Sequence, residues 1–138
     1  MRRSGLALWA ATAISLGACG SGERSFEAPV VLGGREIAPD VLNRGELLYM
    51  RHCRGCHGPE GRGNGRYAAS LDAPPADLSS GDYPRLGATG GELPSDAALR
   101  QLITEGIEGT AMAPIPLSDE NLDAVVHYVK TLAPAWRE

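Results

Sequence analysis

The residues with the clearest capacity for chemistry are the two thiols and the imidazole of the segment Cys53-Arg54-Gly55-Cys56-His57. Two cysteines separated by two residues and followed at once by histidine form the pattern for covalent attachment of a c-type haem. Each thiol adds to one vinyl group of the porphyrin, and the adjacent imidazole becomes the proximal ligand of the iron. We therefore predict one covalent haem c, attached through Cys53 and Cys56 and ligated by His57.

Two other uses of a closely spaced cysteine pair agree less well with the rest of the chain. A redox dithiol of the thioredoxin type needs a βαβ context, and the sequence shows no such alternation. A structural zinc site needs four ligands, and the chain has no second Cys or Cys/His pair to complete one.

Met112 is the best candidate for the second axial ligand of the iron. It lies 55 residues after His57, which is far enough for the chain to wrap around the macrocycle. The surrounding segment 109–114 contains small residues and a proline, and it predicts a rigid loop between two helices. The alternative is a methionine that only fills the core.

Other possible ligands have weaker support. Met50 and His52 lie so close to Cys53 that neither side chain can reach across the ring. His127 lies beside the apolar stripe of the last helix and is expected at the surface or at an interface. An open sixth position, as an enzyme would need, is a further alternative.

The first 18 residues have the features of an export signal. Arg2 and Arg3 precede an apolar stretch that is too short to span a bilayer as a mature helix. The stretch ends in Leu16-Gly17-Ala18-Cys19, which resembles the bacterial lipobox, where the peptide is cut before a cysteine that carries the lipid. We expect residues 1–18 to be a lipoprotein signal peptide and Cys19 to be the lipid anchor. An ordinary cleavage site beside an unrelated Cys19 is the alternative.

Residues 19–38 are predicted to be a flexible tether, because Gly and Ser dominate the start and no hydrophobic period is sustained. The apolar run Val30, Val31 and Leu32 is the exception, and it is expected to dock on the domain or on a partner. The folded domain is then expected to comprise residues 39–138.

The charge of the chain argues against one class of partner. The chain has 13 basic and 17 acidic side chains, and loss of Arg2 and Arg3 with the signal peptide leaves a net charge of −6. A chain this acidic is not expected to bind nucleic acid. It permits docking to a basic patch on a redox partner protein.

Three main helices are predicted within residues 39–138, on the basis of capping residues and apolar periodicity. They run from Pro39 to Cys53, from Ser95 to Gly106, and from Ser118 to the stop at Pro134. Between the first two, residues 58–94 are rich in Gly, Pro, Asp and Ser and predict a long irregular loop. With one Phe and four Tyr the core is thin, so a buried cofactor would stabilise the domain.

Together these residues resemble a class I c-type cytochrome, over roughly Pro39 to Leu132. Gly45 and Tyr49 precede Cys53 by eight and four positions, as the helix-contact glycine and aromatic residue of that family do. Tyr128 stands where the family places an aromatic residue on its last helix. The resemblance implies an all-α, small class I cytochrome c fold, with three main helices and long Gly/Pro-rich loops around one covalent haem. The last helix would cross the first at Gly45.

The resemblance also implies the roles of the site residues, with Cys53 and Cys56 as thioether anchors, His57 as proximal ligand and Met112 as distal ligand. The segment 71–78 is similar to a loop of bacterial membrane-associated members of the family. By that similarity, a backbone carbonyl near Pro74 or Pro75 accepts the Nδ1 hydrogen bond of His57 and fixes the ring.

The expected function is electron transfer rather than catalysis. The protein would be lipid-anchored on the periplasmic side of a bacterial membrane, with respiratory complexes as its redox partners. Two alternatives remain at this point. One is a fixed haem c subunit of a larger membrane oxidoreductase, and the other is a haem enzyme or gas sensor with an open sixth position.

Overall fold

The computed structural model describes residues 26–88, 90 and 92–137. These residues form a β-hairpin, four α-helices and three 3-10 turns. The strands are β1 (Val30–Leu32) and β2 (Arg35–Ile37), and the helices are α1 (Pro39–His52), α2 (Arg54–His57), α3 (Asp96–Glu105) and α4 (Asp119–Leu132). The 3-10 turns are Ala68–Ser70, Pro84–Leu86 and Pro134–Arg137. The lipobox, Cys19 and the first residues of the predicted tether lie outside the described residues.

The three predicted main helices are confirmed, and their ends have the expected capping contacts. Pro39 stands in the first turn of α1, where its missing N–H costs no hydrogen bond. The Ser95 hydroxyl accepts from the N–H of Ala98 at 3.1 Å at the start of α3, and Ser118 caps α4 in the same way. In the described part of the chain, no helix combines the length and the apolar character needed to cross a membrane.

The central contact of the fold is the crossing of α1 and α4 at Gly45. A Cβ atom at this position would lie 2.1 Å from the carbonyl oxygen of Ala124 and 2.8 Å from the Cβ of Tyr128. The two helices therefore approach as closely as their backbones permit. One turn further along α1, Tyr49 packs against Tyr128 with 5.2 Å between ring centroids, and both side chains are fully buried. The crossing predicted from the sequence is confirmed.

Residues 30–37 of the predicted tether form a β-hairpin, which adds two short strands to a mostly helical fold. Strands β1 and β2 pair antiparallel through a two-residue turn, in which Gly33 and Gly34 both have positive φ. This combination suits the tight turn that matches strand twist, and glycine adopts it without a steric cost. Leu32 and Ile37 are buried in the core, so hydrophobic burial holds the hairpin on the domain.

The segment before the hairpin is also part of the folded domain. The backbone N–H and C=O of Phe26 both bond to the side-chain amide of Asn43 on α1, at 2.7 and 3.0 Å. The Phe26 ring meets Tyr128 edge to face, with centroids 6.2 Å apart. Phe26 therefore packs on the helical part of the domain, as the hairpin does.

A buried charge cluster joins the hairpin, α3, α4 and the C-terminal turn. The Lys130 ammonium, whose side chain is only 4% exposed, lies 2.5 Å from the Asp96 carboxylate, which also pairs with Arg35. The same ammonium lies 4.5 Å from the ring centroid of Trp136, in a cation–π contact. Burial alone would raise the pKa of Asp96, but the Lys130 hydrogen bond and the charges of Lys130 and Arg35 hold it below its usual value. The buried Lys130 ammonium stays charged because Asp96 pairs with it, and the Asp96 carboxylate is in turn paired with Arg35.

The Gly45 crossing leads to a stability prediction. We expect Gly45→Ala to destabilise the haem-loaded protein by about 2 kcal/mol or more, because overpacking costs about 1–3 kcal/mol and a backbone carbonyl cannot turn aside. Denaturant unfolding monitored by far-UV circular dichroism measures the change. Leu47→Ala, at a 62% exposed position of the same helix, is the control and should change stability by less than about 0.5 kcal/mol. Equal stability of the two variants would contradict the close crossing.

Candidate functional site

The cysteine and histidine side chains predicted for the site are brought together by α2. Helix α1 ends at His52, and the chain turns at Cys53 into this single turn of helix. The N–H of His57 donates to the carbonyl of Cys53 at 3.0 Å, so the motif closes on itself. Residues three and four positions apart share one face of a helix, which places the two thiols and the imidazole on the same side.

That face borders an apolar cavity of about 450 Å³, within the size range of cofactor sites. Cys53, Cys56, His57 and Met112 all line it. The remaining walls come from the loop after α2, from α3 and from α4. They include Leu71, Pro74, Pro75, Leu78, Leu86, Leu99, Leu102, Ile103, Ile115, Val125 and Val129. Two thiols, an imidazole and a thioether around an apolar space make a donor set that fits a haem.

His57 is held in one orientation by its second nitrogen. Its Nδ1–H donates to the carbonyl of Ala76 at 3.0 Å, which leaves Nε2 as the ring nitrogen that could bind a metal. Ala76 directly follows Pro75, so the acceptor lies in the part of the loop where the sequence placed it, near Pro74 or Pro75. Burial lowers the pKa of His57, opposed by the bond to Ala76, and the neutral imidazole is the form that binds a metal.

The loop that provides this carbonyl packs directly on the motif. The N–H of Gly63 donates to the carbonyl of His57 at 2.8 Å. A Cβ at Gly63 would lie 2.5 Å from the carbonyl oxygen of Pro75, and the positive φ of 70° also favours glycine here. The Gly-rich composition of this loop therefore serves close backbone packing beside the histidine.

Tyr49 links the helix crossing to the motif. Its hydroxyl donates to the carbonyl of Gly58 at 2.7 Å in a buried hydrogen bond. Burial, followed by the negative charges that Cys53 and Tyr128 would carry, raises the pKa of Tyr49, so the hydroxyl stays protonated as a donor. This hydrogen bond ties Gly58, the residue immediately after His57, to helix α1.

Met112 reaches the cavity from the loop between α3 and α4. Its carbonyl accepts from the N–H of Ile107 at 2.8 Å, and its N–H bonds to the Thr110 hydroxyl at 3.2 Å. A Cβ at Gly106 would lie 2.4 Å from the Met112 carbonyl oxygen, so the start of this loop packs tightly against its end. These contacts give the loop the rigidity predicted from its sequence.

The other ligand candidates are placed differently. His127 is buried on α4 and is absent from the cavity lining, which corrects its predicted place at the surface. Met50 packs on the core outside the cavity. His52 lies at the cavity edge with an exposed side chain, next in sequence to Cys53. Of the methionines in the described residues, Met112 is the one that lines the cavity.

The environment of Cys53 argues against a redox dithiol. Burial, followed by the charge of Cys56, raises the pKa of the Cys53 thiol to about 12. A catalytic or redox-active dithiol needs a lowered pKa, since the thiolate is the nucleophile. The elements formed by residues 26–88 and 92–137 also include no βαβ unit of the thioredoxin type.

The helix crossing at glycine, the cysteine–histidine turn and the apolar cavity define a c-type cytochrome domain of class I. A family model described as cytochrome c oxidase, cbb3-type, subunit III matches residues 40–129, and the chain belongs to this family. Members of c-type cytochrome families carry haem c, so the chain is an electron-transfer haem protein. No curated protein matches the chain.

Two solved structures are similar to the chain. One is the Kuenenia stuttgartiensis reducing HAO-like protein complex Kustc0457/Kustc0458, with 31% identity and a TM-score of 0.63. The match covers 69% of this protein and 44% of the matched chain of that complex. This protein therefore spans less than half the length of the chain that it matches. The other is the KustC0563 c-type cytochrome, with 27% identity, a TM-score of 0.48, and coverage of 64% of this chain and 96% of that chain.

The Tyr49 hydrogen bond leads to a second stability prediction. We expect Tyr49→Phe to destabilise the haem-loaded protein by about 0.5–1.5 kcal/mol, because it removes a buried hydrogen bond and leaves the Gly58 carbonyl with the N–H of Gly61, at 3.2 Å, as its donor. Denaturant unfolding followed in the haem absorption band measures this loss. Tyr67→Phe is the matched control, since the Tyr67 hydroxyl has no hydrogen bond within the described residues and the ring is 47% exposed. Equal unfolding midpoints for both variants would refute the structural role of this bond.

Proposed function

We propose that the protein is a membrane-tethered electron carrier with one covalent haem c, ligated by His57 and Met112, and that it shuttles electrons in a respiratory chain. One observation carries this proposal. The three chemical groups of the cysteine–histidine turn and a single methionine from a distant loop line the same apolar cavity. This donor set is the one that a closed, six-coordinate haem c requires.

The geometry of α2 supports the proposed covalent attachment. Cys53 and Cys56 are three residues apart and share the helix face that borders the cavity. Two thioether bonds from one turn of helix would hold the cofactor without further contacts. When bound, the haem supplies reversible one-electron chemistry at its iron, and the protein supplies its orientation and surroundings.

The axial positions are suited to electron transfer rather than substrate binding. His57 is held by Ala76, and Met112 is held by the backbone of its own loop. Ligation by a thioether raises the reduction potential, which suits the oxidising end of a respiratory chain. Apolar walls exclude water from the cavity, which limits solvent reorganisation around the iron when its charge changes.

The ligation prediction concerns Met112. We expect Met112→Ala to abolish the weak near-infrared sulfur-to-iron band of the ferric protein, to lower its reduction potential and to allow rapid carbon monoxide binding to the ferrous form. Absorption spectroscopy, spectroelectrochemistry and flash photolysis measure these changes. A pyridine haemochrome spectrum should show the covalent haem unchanged in the variant.

Met50→Leu is the matched control, because Met50 packs on the core outside the cavity. This variant should keep the near-infrared band and exclude carbon monoxide as the wild type does. Rapid carbon monoxide binding by the wild type would favour the haem enzyme or gas sensor with an open sixth position instead.

The tether and the location rest on the N-terminal residues. The lipobox-like segment that ends at Cys19 supports lipid anchorage, and the segment between Cys19 and Phe26 would connect the lipid to the folded domain. Because the hairpin is packed on the domain, this connection is shorter than the sequence alone predicts. A lipid on Cys19 would hold the haem near membrane-bound redox partners on the periplasmic side.

Anchorage is tested by exchanging the signal. We expect the wild type to fractionate with membranes and its mature N-terminus to be Cys19 carrying lipid, as measured by mass spectrometry. Replacement of residues 1–19 by a cleavable secretory signal should shift nearly all of the protein to the soluble periplasmic fraction. An unmodified Cys19 in the wild type, or the same fractionation of both forms, would contradict the lipid anchor.

A fixed subunit of a larger oxidoreductase is the second candidate function. It is favoured by the description of the matched family as an oxidase subunit and by the similarity to one component of a protein complex. Co-purification after mild detergent extraction distinguishes the two. A free carrier should separate from other haem proteins, whereas a subunit should remain with its complex.

A further inference from the structure

His127 is a buried histidine that the proposed electron transfer does not use. It is 9% exposed on α4, and its Nδ1 atom has no hydrogen-bond partner among the residues that the structure describes. If the ring were protonated, Nδ1 would become a charged donor without an acceptor, which costs far more than a neutral nitrogen in the same place. The packing around this ring therefore favours the neutral imidazole.

The charged groups that face His127 come from three elements. Lys130 and Asp123 lie on α4 itself, three residues after and four residues before the histidine, so they share its side of the helix. Asp96, at the start of α3, and Arg35, on β2, face the ring from the neighbouring elements. We call Arg35, Asp96, His127 and Lys130 the latch cluster.

Both carboxylates that face the ring are already paired with other cations. Asp96 lies between two of them, with the Lys130 ammonium 2.5 Å from one carboxylate oxygen and the Arg35 guanidinium bonded to the other. Asp123 pairs with Arg100. An imidazolium would therefore add a positive charge that neither carboxylate is free to balance, beside a Lys130 side chain that is only 4% exposed.

Arg35 is the member of the latch cluster that can move away from the added charge. Its side chain is 60% exposed, whereas Lys130 is buried and shares a helix with His127. Departure of Arg35 would leave the Asp96 carboxylate to balance the ammonium and the imidazolium. Since Arg35 belongs to β2, its departure removes one of the contacts that hold the hairpin on the helices.

The hairpin is also the part of the domain that opens most easily. In each of its three-residue strands only the last residue is buried, Leu32 in β1 and Ile37 in β2. The helices α1 and α4, by contrast, have 14 residues each and meet backbone to backbone at Gly45. A unit with few buried apolar contacts opens at a lower free energy than the core. Strain in the latch cluster is therefore expected to open the hairpin before the helices.

We propose that the latch cluster is an acid-sensitive latch, which holds the hairpin on α3 and α4 while His127 is neutral and releases it when His127 is protonated. The helices and the cavity stay folded in the released form, because the Gly45 crossing lies outside the cluster. The charged groups and the unpartnered nitrogen of His127 supply the driving force, and the hairpin is the element that moves.

The direction of the pH dependence follows from the surroundings of the ring. Burial, followed by the charge of Lys130 and that of Arg35, lowers the pKa of His127, and Asp96 and Asp123 oppose this only in part. In the released form the ring is nearer to water, and its pKa returns toward the usual value of about 6.5. The released form therefore binds protons more readily, and its population rises as the pH falls below about 6.5.

Release of the hairpin would lengthen the connection between the domain and a lipid on Cys19. As an extended chain, residues 26–38 would add about 40 Å of reach. At acidic pH the haem would then reach redox partners farther from the membrane surface. This consequence rests on the proposed lipid anchor, whereas the latch itself depends only on the contacts of residues 30–37 with α3 and α4.

Amide hydrogen exchange of the full haem-loaded protein tests the latch. Exchange is followed by mass spectrometry at about pH 5 and about pH 7.5, and each rate is divided by the intrinsic rate at that pH. We expect the protection of peptides that cover residues 30–37 to fall about tenfold at the lower pH, since one pKa unit between two forms is a tenfold change in their ratio. Protection of α1 and α4 should change by less than about twofold.

Two substitutions and a control assign the effect to the latch cluster. His127→Gln removes the titrating group, so its hairpin should be almost equally protected at both pH values. Arg35→Gln should lower the protection of the hairpin at about pH 7.5 and leave little further loss on acidification. Arg35 is exposed, so this variant keeps the test decisive if His127→Gln does not fold. His52→Gln, at an exposed histidine of α1, should lose protection as the wild type does.

Three results would overturn the latch. One is a wild-type hairpin that is equally protected at both pH values, and another is a loss that persists in His127→Gln. The third is an equal loss of protection in the hairpin, α1 and α4, which would show acid unfolding of the whole domain. Exchange of residues 30–37 is measured in the same way whether or not Cys19 carries lipid, so failure of the latch and failure of the lipid anchor are separate results.

Discussion

The close crossing of α1 and α4 at Gly45 is the contact on which the other parts of this structure depend. The carbonyl of Ala124 occupies the space that any side chain at Gly45 would need, so the helices meet backbone to backbone. This approach sets Tyr49 against Tyr128, and Tyr49 in turn holds the carbonyl that follows His57. The contact between Gly45 and Ala124, which are far apart in the sequence, therefore orients the cysteine–histidine turn.

The free energy of unfolding is expected to depend on the cofactor that fills the cavity. Apolar side chains from α3, α4 and two loops converge on a space of about 450 Å³, and apolar walls without a filling group lose both dispersion contacts and hydrophobic burial. A haem in this space would replace those contacts, so ligand binding and folding would share the same free energy. The Gly-rich loop fits this arrangement, because glycines such as Gly63 let its backbone pack beside His57 where side chains would collide.

Charged side chains contribute differently in the partly buried interior and at the surface of the domain. Inside, the Lys130 and Asp96 pair joins the hairpin and the C-terminal turn to the helices, and its partial burial protects it from screening by salt. At the surface, Arg100 pairs with Asp119 and Asp123 and joins α3 to α4. Exposed pairs of this kind are screened by salt and contribute little to stability.

The sequence by itself determined the cysteine–histidine turn and the ends of the three main helices, whereas the crossing at Gly45 came from the resemblance to class I c-type cytochromes and the structure placed Met112 in the cavity lining. Capping, thiol spacing and helix periodicity depend on residues within a few positions of one another, so they can be read along the chain. Only the tertiary structure decided the hairpin, because Gly33-Gly34 resembles a linker until Leu32 and Ile37 find a core to enter. It also decided which carbonyl near Pro74 and Pro75 accepts from His57, namely that of Ala76, and that His127 is buried. Each of these depends on where distant segments meet, and that position is set by packing rather than by local sequence.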